Sequence, residues 1–445
     1  MKTRLYLATA LLALAAPATA FAQHQAAPSD SHVAPSPEVQ AIPAWLSAAD
    51  RGEMAPLHEA LRTSRNADER ALLDARLAAS RGLAVHRRPE LARLAAGTNP
   101  VHARAALNII TSGAFGQDDY AASASAAARL ADRLRAAGDT HGADATGRTR
   151  DLAALLASAP AQRVDGAIAL SSTPLTRDAV GLPRIRIGVN DGEDEAVVDT
   201  GAGLTVLSAE TAQRLGVTLL EGDTRVGNGV ATTVAVRAGI ADRMTIAGTT
   251  IRNVPVLIID DSQLTFPQAN NYRITSIVGL PVMRALRRVK LDATSFTVEA
   301  AQPFDPARQN LFADSNDLHV PVVVGGRETF LFIDTGANQV ILTERFAAAH
   351  PDLVETLTTS DLRTASAGGT RTQRSAVWAN QELRIGDRAA IVPSISIALQ
   401  TDDLSREHAG VLGSSALRLF RSHTFDFQAM RLELDEAVAA PTPAR

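Results

Sequence analysis

Two short stretches of the chain end an apolar run on an aspartate. They read Ala196-Val197-Val198-Asp199-Thr200-Gly201-Ala202 and Phe332-Ile333-Asp334-Thr335-Gly336-Ala337. A carboxyl group set among apolar residues needs a reason, because burying a charge is expensive unless it is paired or used. Two such groups brought together can divide a task that neither performs alone. The ionised one takes a proton from water while the protonated one polarises a carbonyl. Two unit charges about 4 Å apart repel by about 4 kcal/mol at an effective dielectric near 20, which separates the two ionisations by about 3 in pKa. The pair therefore holds one proton in common and titrates as a unit.

The elements around the two acids repeat. Placing Asp199 over Asp334 aligns an apolar strand that starts fourteen residues earlier, at Ile185 and at Val320. Each strand runs into a turn, Asn190-Asp191-Gly192 or Gly325-Gly326, made of residues that accept positive φ and so suit tight hairpins. Nine residues beyond each acid stands a hydroxyl residue, Ser208 or Thr343, placed to cap a short helix. Val254-Pro255 and Val392-Pro393 recur in strand-like stretches. Ile277-Val278-Gly279 and Val411-Leu412-Gly413 then put a glycine 80 and 79 residues after the respective acid, with Asp292 and Asp426 thirteen residues further on. Such a register over about 120 residues marks an internal duplication. Asp292 and Asp426 are expected to be structural, accepting backbone or arginine hydrogen bonds.

Asp-Thr-Gly-Ala after an apolar strand, followed some 80 residues later by two apolar residues and a glycine, resembles the retropepsin-like aspartic protease family. The resemblance covers about residues 181–438. It implies a mainly β fold, with two tandem acid-protease barrels related by a pseudo-twofold axis, and an aspartic-type endopeptidase whose catalytic dyad is Asp199 and Asp334 within one chain. It further implies that Thr200 and Thr335 brace the two loops across the axis, that Gly201 and Gly336 keep those loops tight, and that peptide substrates bind without a metal or other cofactor. Candidate substrate flaps are Gly227-Asn228-Gly229 and Gly368-Gly369. The chain departs from the family pattern two residues after each motif glycine, where Gly203 and Asn338 stand, so a hydrogen bond supporting the first loop is expected to be missing. Two alternatives stay open: degenerate repeats forming a non-catalytic exported scaffold that binds peptides, and pairing of each copy with its twin in a second molecule.

The remainder of the 445 residues bounds the setting. Residues 1–22 have a basic start, an apolar run from Leu5 to Ala16 and small-residue cleavage sites, and are expected to be a signal peptide that leaves no membrane anchor and sends the protein to the periplasm or outside the cell. Residues 23–40 read as a flexible leader. Residues 41–159 read as an α-helical accessory domain, with Asn66 and Glu69 as a capping box, Pro100 as a helix start, and Tyr120, Ala124, Ala127, Leu130 and Leu134 along one helix face. This domain is expected either to pack on the units, as accessory or pro-region, or to bind a protein partner. Residues 160–180 are assigned as a linker with a Ser/Thr/Pro-rich connector. Residues 181–301 form unit 1, 302–317 a second linker, 318–438 unit 2 and 439–445 a tail. There is no cysteine, which excludes disulfides and cysteine-ligated metals, and a net charge of −4 without a basic block gives no support for nucleic-acid binding.

Overall fold

The computed structural model describes residues 6–7, 43–227, 233–399 and 408–438. The signal-peptide and leader assignments fall outside them apart from Tyr6–Leu7, as do Asn228 and Gly229 of the first candidate flap and the tail.

Among the described residues, seven helices follow the two-residue strand Tyr6–Leu7, from Ala44–Asp50 to Thr140–Leu156. Their starts follow local chemistry. Asn66 accepts hydrogen bonds from the amides of Asp68 and Glu69, and Pro100 opens Pro100–Phe115 behind the Asn99 cap. The reciprocal half of the expected capping box is not made, because the Glu69 carboxylate accepts from the Ser64 hydroxyl instead. The helices bury their own core of Leu46, Leu57, Leu72, Leu91, Leu107 and Leu130.

Each following unit is a closed six-stranded barrel. In unit 1, Pro183–Val189 pairs with Gly192–Val198, which runs parallel to Ser276–Val278; the circuit continues through Thr205–Ser208, Thr249–Ile259 and Thr233–Ile246 back to Gly188 and Val189. In unit 2 the same path runs from Asp317–Val324 through Arg327–Asp334, Gly410–Gly413, Ile341–Leu342, Arg388–Ala398 and Gly369–Ile385 back to Val323 and Val324. The two landmarks spaced about 80 residues apart are thus neighbouring parallel strands, with Val198 beside Val278 and Asp334 beside Gly413.

A second layer joins the units. Arg288–Asp292 of unit 1 lies antiparallel to Ser422–Asp426 of unit 2, with Ser295–Val298, Ser171–Arg177 and Arg431–Leu434 extending the sheet. The Ser/Thr/Pro-rich stretch read as a connector is therefore a strand: its alternating burial and its Pro174 suit a polar strand of the joining sheet. Asp426 is fully buried and accepts from Arg288 and from the amides of Gln302, Gln428 and Ala429, while Asp292 accepts from the Thr294 and Ser295 amides. Both are structural acids that fix turns of this sheet.

The helices rest on both units. Leu152, Ala153 and Leu156 share a core with Val226, Val234 and Val236 of unit 1. On the other side, the buried Arg76 donates to Asp50 and to the Ala313 carbonyl, Arg345 pairs with Glu53, and Gly52 sits against His319, leaving no room for a side chain. No helix among the described residues is long and apolar enough to cross a membrane.

Candidate active site

Each acid stands where a barrel strand ends and the chain turns back. The Asp199 amide donates to the Val278 carbonyl, and the Leu280 amide donates to Ala202, so the loop after the acid is pinned to the neighbouring strand at both ends. Gly279 and Gly413 lie so close to the loops that an added Cβ would meet the Leu204 carbonyl at 2.5 Å and the Gln339 carbonyl at 1.9 Å. That close approach is why a glycine recurs about 80 residues after each acid.

The two loops meet. The Thr200 hydroxyl donates to the Ile333 carbonyl at 2.9 Å and accepts from the Thr335 amide at 3.1 Å. In return, the Thr335 hydroxyl donates to the Val198 carbonyl at 2.7 Å and accepts from the Thr200 amide at 3.0 Å. These four bonds run between the two units of one chain and are all buried. Gly201 is pressed against Asp334, whose Cγ would lie 2.6 Å from a Cβ at that position.

Asp199 and Asp334 have no solvent exposure. One oxygen of each is held by its own loop: the Gly201 amide donates to Asp199 at 2.8 Å, and the Ala337 amide to Asp334 at 2.9 Å. Burial pushes the Asp199 carboxyl well up, and the neighbouring charge of Asp334 pushes it further, against the pull of the Gly201 and Gly336 amides. Burial also raises Asp334, opposed by its contact with Asp199 and by the Ala337 and Gly336 amides. A buried pair that resists a second negative charge keeps one proton between its members.

A profile of the aspartyl protease family matches the chain twice, at residues 185–282 and 320–416, once over each acid. The two units are retropepsin-like aspartyl protease units. No curated protein matches the chain.

Around the two protease loops the expectations meet particular outcomes. Ser208 caps its helix by accepting from the Thr211 amide, whereas Thr343 turns its hydroxyl to the His408 carbonyl and leaves its helix without a side-chain cap. Gly227 ends the strand Thr224–Gly227, and Gly368 forms the tip between Thr358–Ser366 and Gly369–Ile385, its amide donating to the Gln263 carbonyl of unit 1 at 2.9 Å. At the departing positions, Asn338 of loop 2 donates to the Val180 carbonyl at 3.4 Å. Loop 1 is supported where none was expected: Asn316 donates to the Gly203 carbonyl at 2.8 Å. Sequence reasoning missed Asn316, its partner Arg284, and Ser414, which donates from both amide and hydroxyl to the Ala337 carbonyl. The repeat held a signal for one of them, since Arg284 and Arg418 both stand five residues after the conserved-register glycines Gly279 and Gly413.

Proposed function

We propose that the protein is an aspartic endopeptidase that hydrolyses peptide bonds with water activated by a single intramolecular dyad, Asp199 and Asp334. The observation that carries this reading is the reciprocal Thr200–Thr335 brace between the two loops that hold the buried carboxyls, an arrangement that supports their sharing one proton. The ionised carboxylate removes a proton from water as the oxygen attacks the scissile carbonyl. The protonated partner donates to the carbonyl oxygen, giving a neutral tetrahedral diol, and a proton then passes to the leaving nitrogen as the C–N bond breaks.

The substrate in this reading is an extended peptide or protein segment lying between the dyad and the flap hairpins. The pairing of Tyr6–Leu7 as a parallel strand with Thr364 and Ala365 supports a reading in which the edge of that strand accepts an extended peptide. Export, with removal of residues 1–22 and no membrane anchor remaining, belongs to the same proposal.

Digestion of a peptide library by the mature protein, compared with Asp199→Asn and Asp334→Asn, tests the reading. Each substitution is expected to lower kcat at least a thousandfold while the fold is retained. Mixing the two variants is expected to restore nothing. Undiminished cleavage by either variant would refute the mixed dyad, and recovery on mixing would place the site between chains.

A further inference from the structure

The pseudo-twofold axis is broken at the base of the loops. In unit 2 the loop supplies its own donor, Asn338, which reaches the Val180 carbonyl just ahead of unit 1. In unit 1 the equivalent position is Gly203, which has no side chain, and the donor comes from outside. Asn316, 1% exposed, gives its Nδ2 to the Gly203 carbonyl at 2.8 Å, four residues beyond Asp199. Its Oδ1 accepts from Arg284 at 3.0 Å, which fixes the amide the right way round for that donation. The other arm of the Arg284 guanidinium donates to the Gly116 carbonyl at 2.7 Å, at the end of helix Pro100–Phe115. Gly116 lies so close to Ser315 that an added Cβ would meet its carbonyl oxygen at 2.9 Å. On the helical side, Asp118 faces the guanidinium and is itself held by the Tyr120 hydroxyl at 3.0 Å.

We propose that Asn316 and Arg284 are positioning residues that set active-site loop 1, and that through Gly116 the helical domain is a permanent part of the catalytic framework rather than a segment to be shed. The inference rests on the reading of Asp199 and Asp334 as a working dyad. The Asn316–Gly203 link is one buried hydrogen bond, and Arg284 adds part-buried bonds to Asn316, to the Ser315 carbonyl and to Gly116, so the effect of breaking one is graded. The loop loosens and the acid drifts from its partner, while the peptide-binding surfaces contributed by the flaps stay in place.

The test uses the full chain. Asn316→Asp keeps an acceptor for Arg284 but removes the donor to Gly203; Arg284→Gln removes the fixing arm, and Arg284→Lys restores part of it. Expected for Asn316→Asp is a fall in kcat of about tenfold, the weight of one buried hydrogen bond, with KM within about twofold. Amide exchange measured by mass spectrometry should rise in residues 199–204 and not in 334–339. Arg284→Gln should behave similarly and Arg284→Lys should recover part of both readouts. Equal exchange in the two loops, or unchanged kcat in an active protein, would overturn the inference. If the parent protein cleaves no peptide, the dyad reading falls, while exchange confined to loop 1 still decides whether Asn316 positions it. Should Arg284→Gln fail to fold, Asn316→Asp decides, since Arg284 keeps its partner there.

Discussion

The two Asp-Thr-Gly loops reach the same symmetric brace by different means. Loop 2 is held locally: Ser414 clasps the Ala337 carbonyl with both amide and hydroxyl, and Asn338 reaches across from the loop itself. Loop 1 has Leu280 in place of Ser414 and Gly203 in place of Asn338, and it takes its support from Asn316, Arg284 and the helical domain. The candidate flaps share one core. The hairpin strands of unit 1 pack on helix Thr140–Leu156, and the unit 2 hairpin, exposed over Thr358–Asp361, brings Ala365 and Ala367 near its tip into that same core. Duplication therefore preserved the atoms that face the axis, and each half was free to change how those atoms are held.

The central brace should be the symmetric part of this comparison. Thr200→Val and Thr335→Val each leave a buried amide and a buried carbonyl of the opposite loop without a partner, at about 2–4 kcal/mol. Denaturant unfolding should show equal losses; a marked inequality would mean that the brace, too, has become one-sided.

The next effect depends on pH. Both carboxyls have folded-state pKa values raised above the ordinary carboxylate value, so the protonated pair favours the fold, and that contribution is lost as pH rises through the folded values. Asp199→Asn removes the larger part of the loss, since burial still raises Asp334 alone. The variant should melt a few degrees above the parent near pH 8 and at the same temperature near pH 3, by circular dichroism. For the same reason cleavage by the parent should follow a bell whose acid limb lies above pH about 4. A variant that melts lower at alkaline pH would show that the pair is not strained by ionisation.

The smallest effect is at Ser414. Ser414→Ala keeps the amide bond to Ala337 and loses only the hydroxyl, so it should destabilise by about 1 kcal/mol or less and barely change kcat. A larger loss than from Asn316→Asp would reverse the proposed order of dependence between the loops.

The acids and their setting were legible because the residues involved are close in sequence and occur twice. An apolar strand, Asp-Thr-Gly and a recurring glycine form a pattern that counting can find. The asymmetric supports were not legible. Asn316 reaches Gly203 across 113 positions and Arg284 reaches Gly116 across 168, and no local periodicity encodes such pairs. Ser171–Arg177 was hidden for another reason: its Ser, Thr and Pro content suits a loop, and pairing with Ser295–Val298 and with Pro183–Ile185 makes it a strand.

The joining sheet has a consequence for how the molecule behaves when scarce. A twofold site made from separate chains exists only above a concentration set by their dissociation constant, and dilution dismantles it. Here the strands Arg288–Asp292 and Ser422–Asp426 belong to one polypeptide, clasped where Arg288 meets Asp426, Glu299 and Glu433. Assembly of the site is then a folding event, independent of how many copies are present, and a solitary molecule far from its neighbours carries both carboxyls with it.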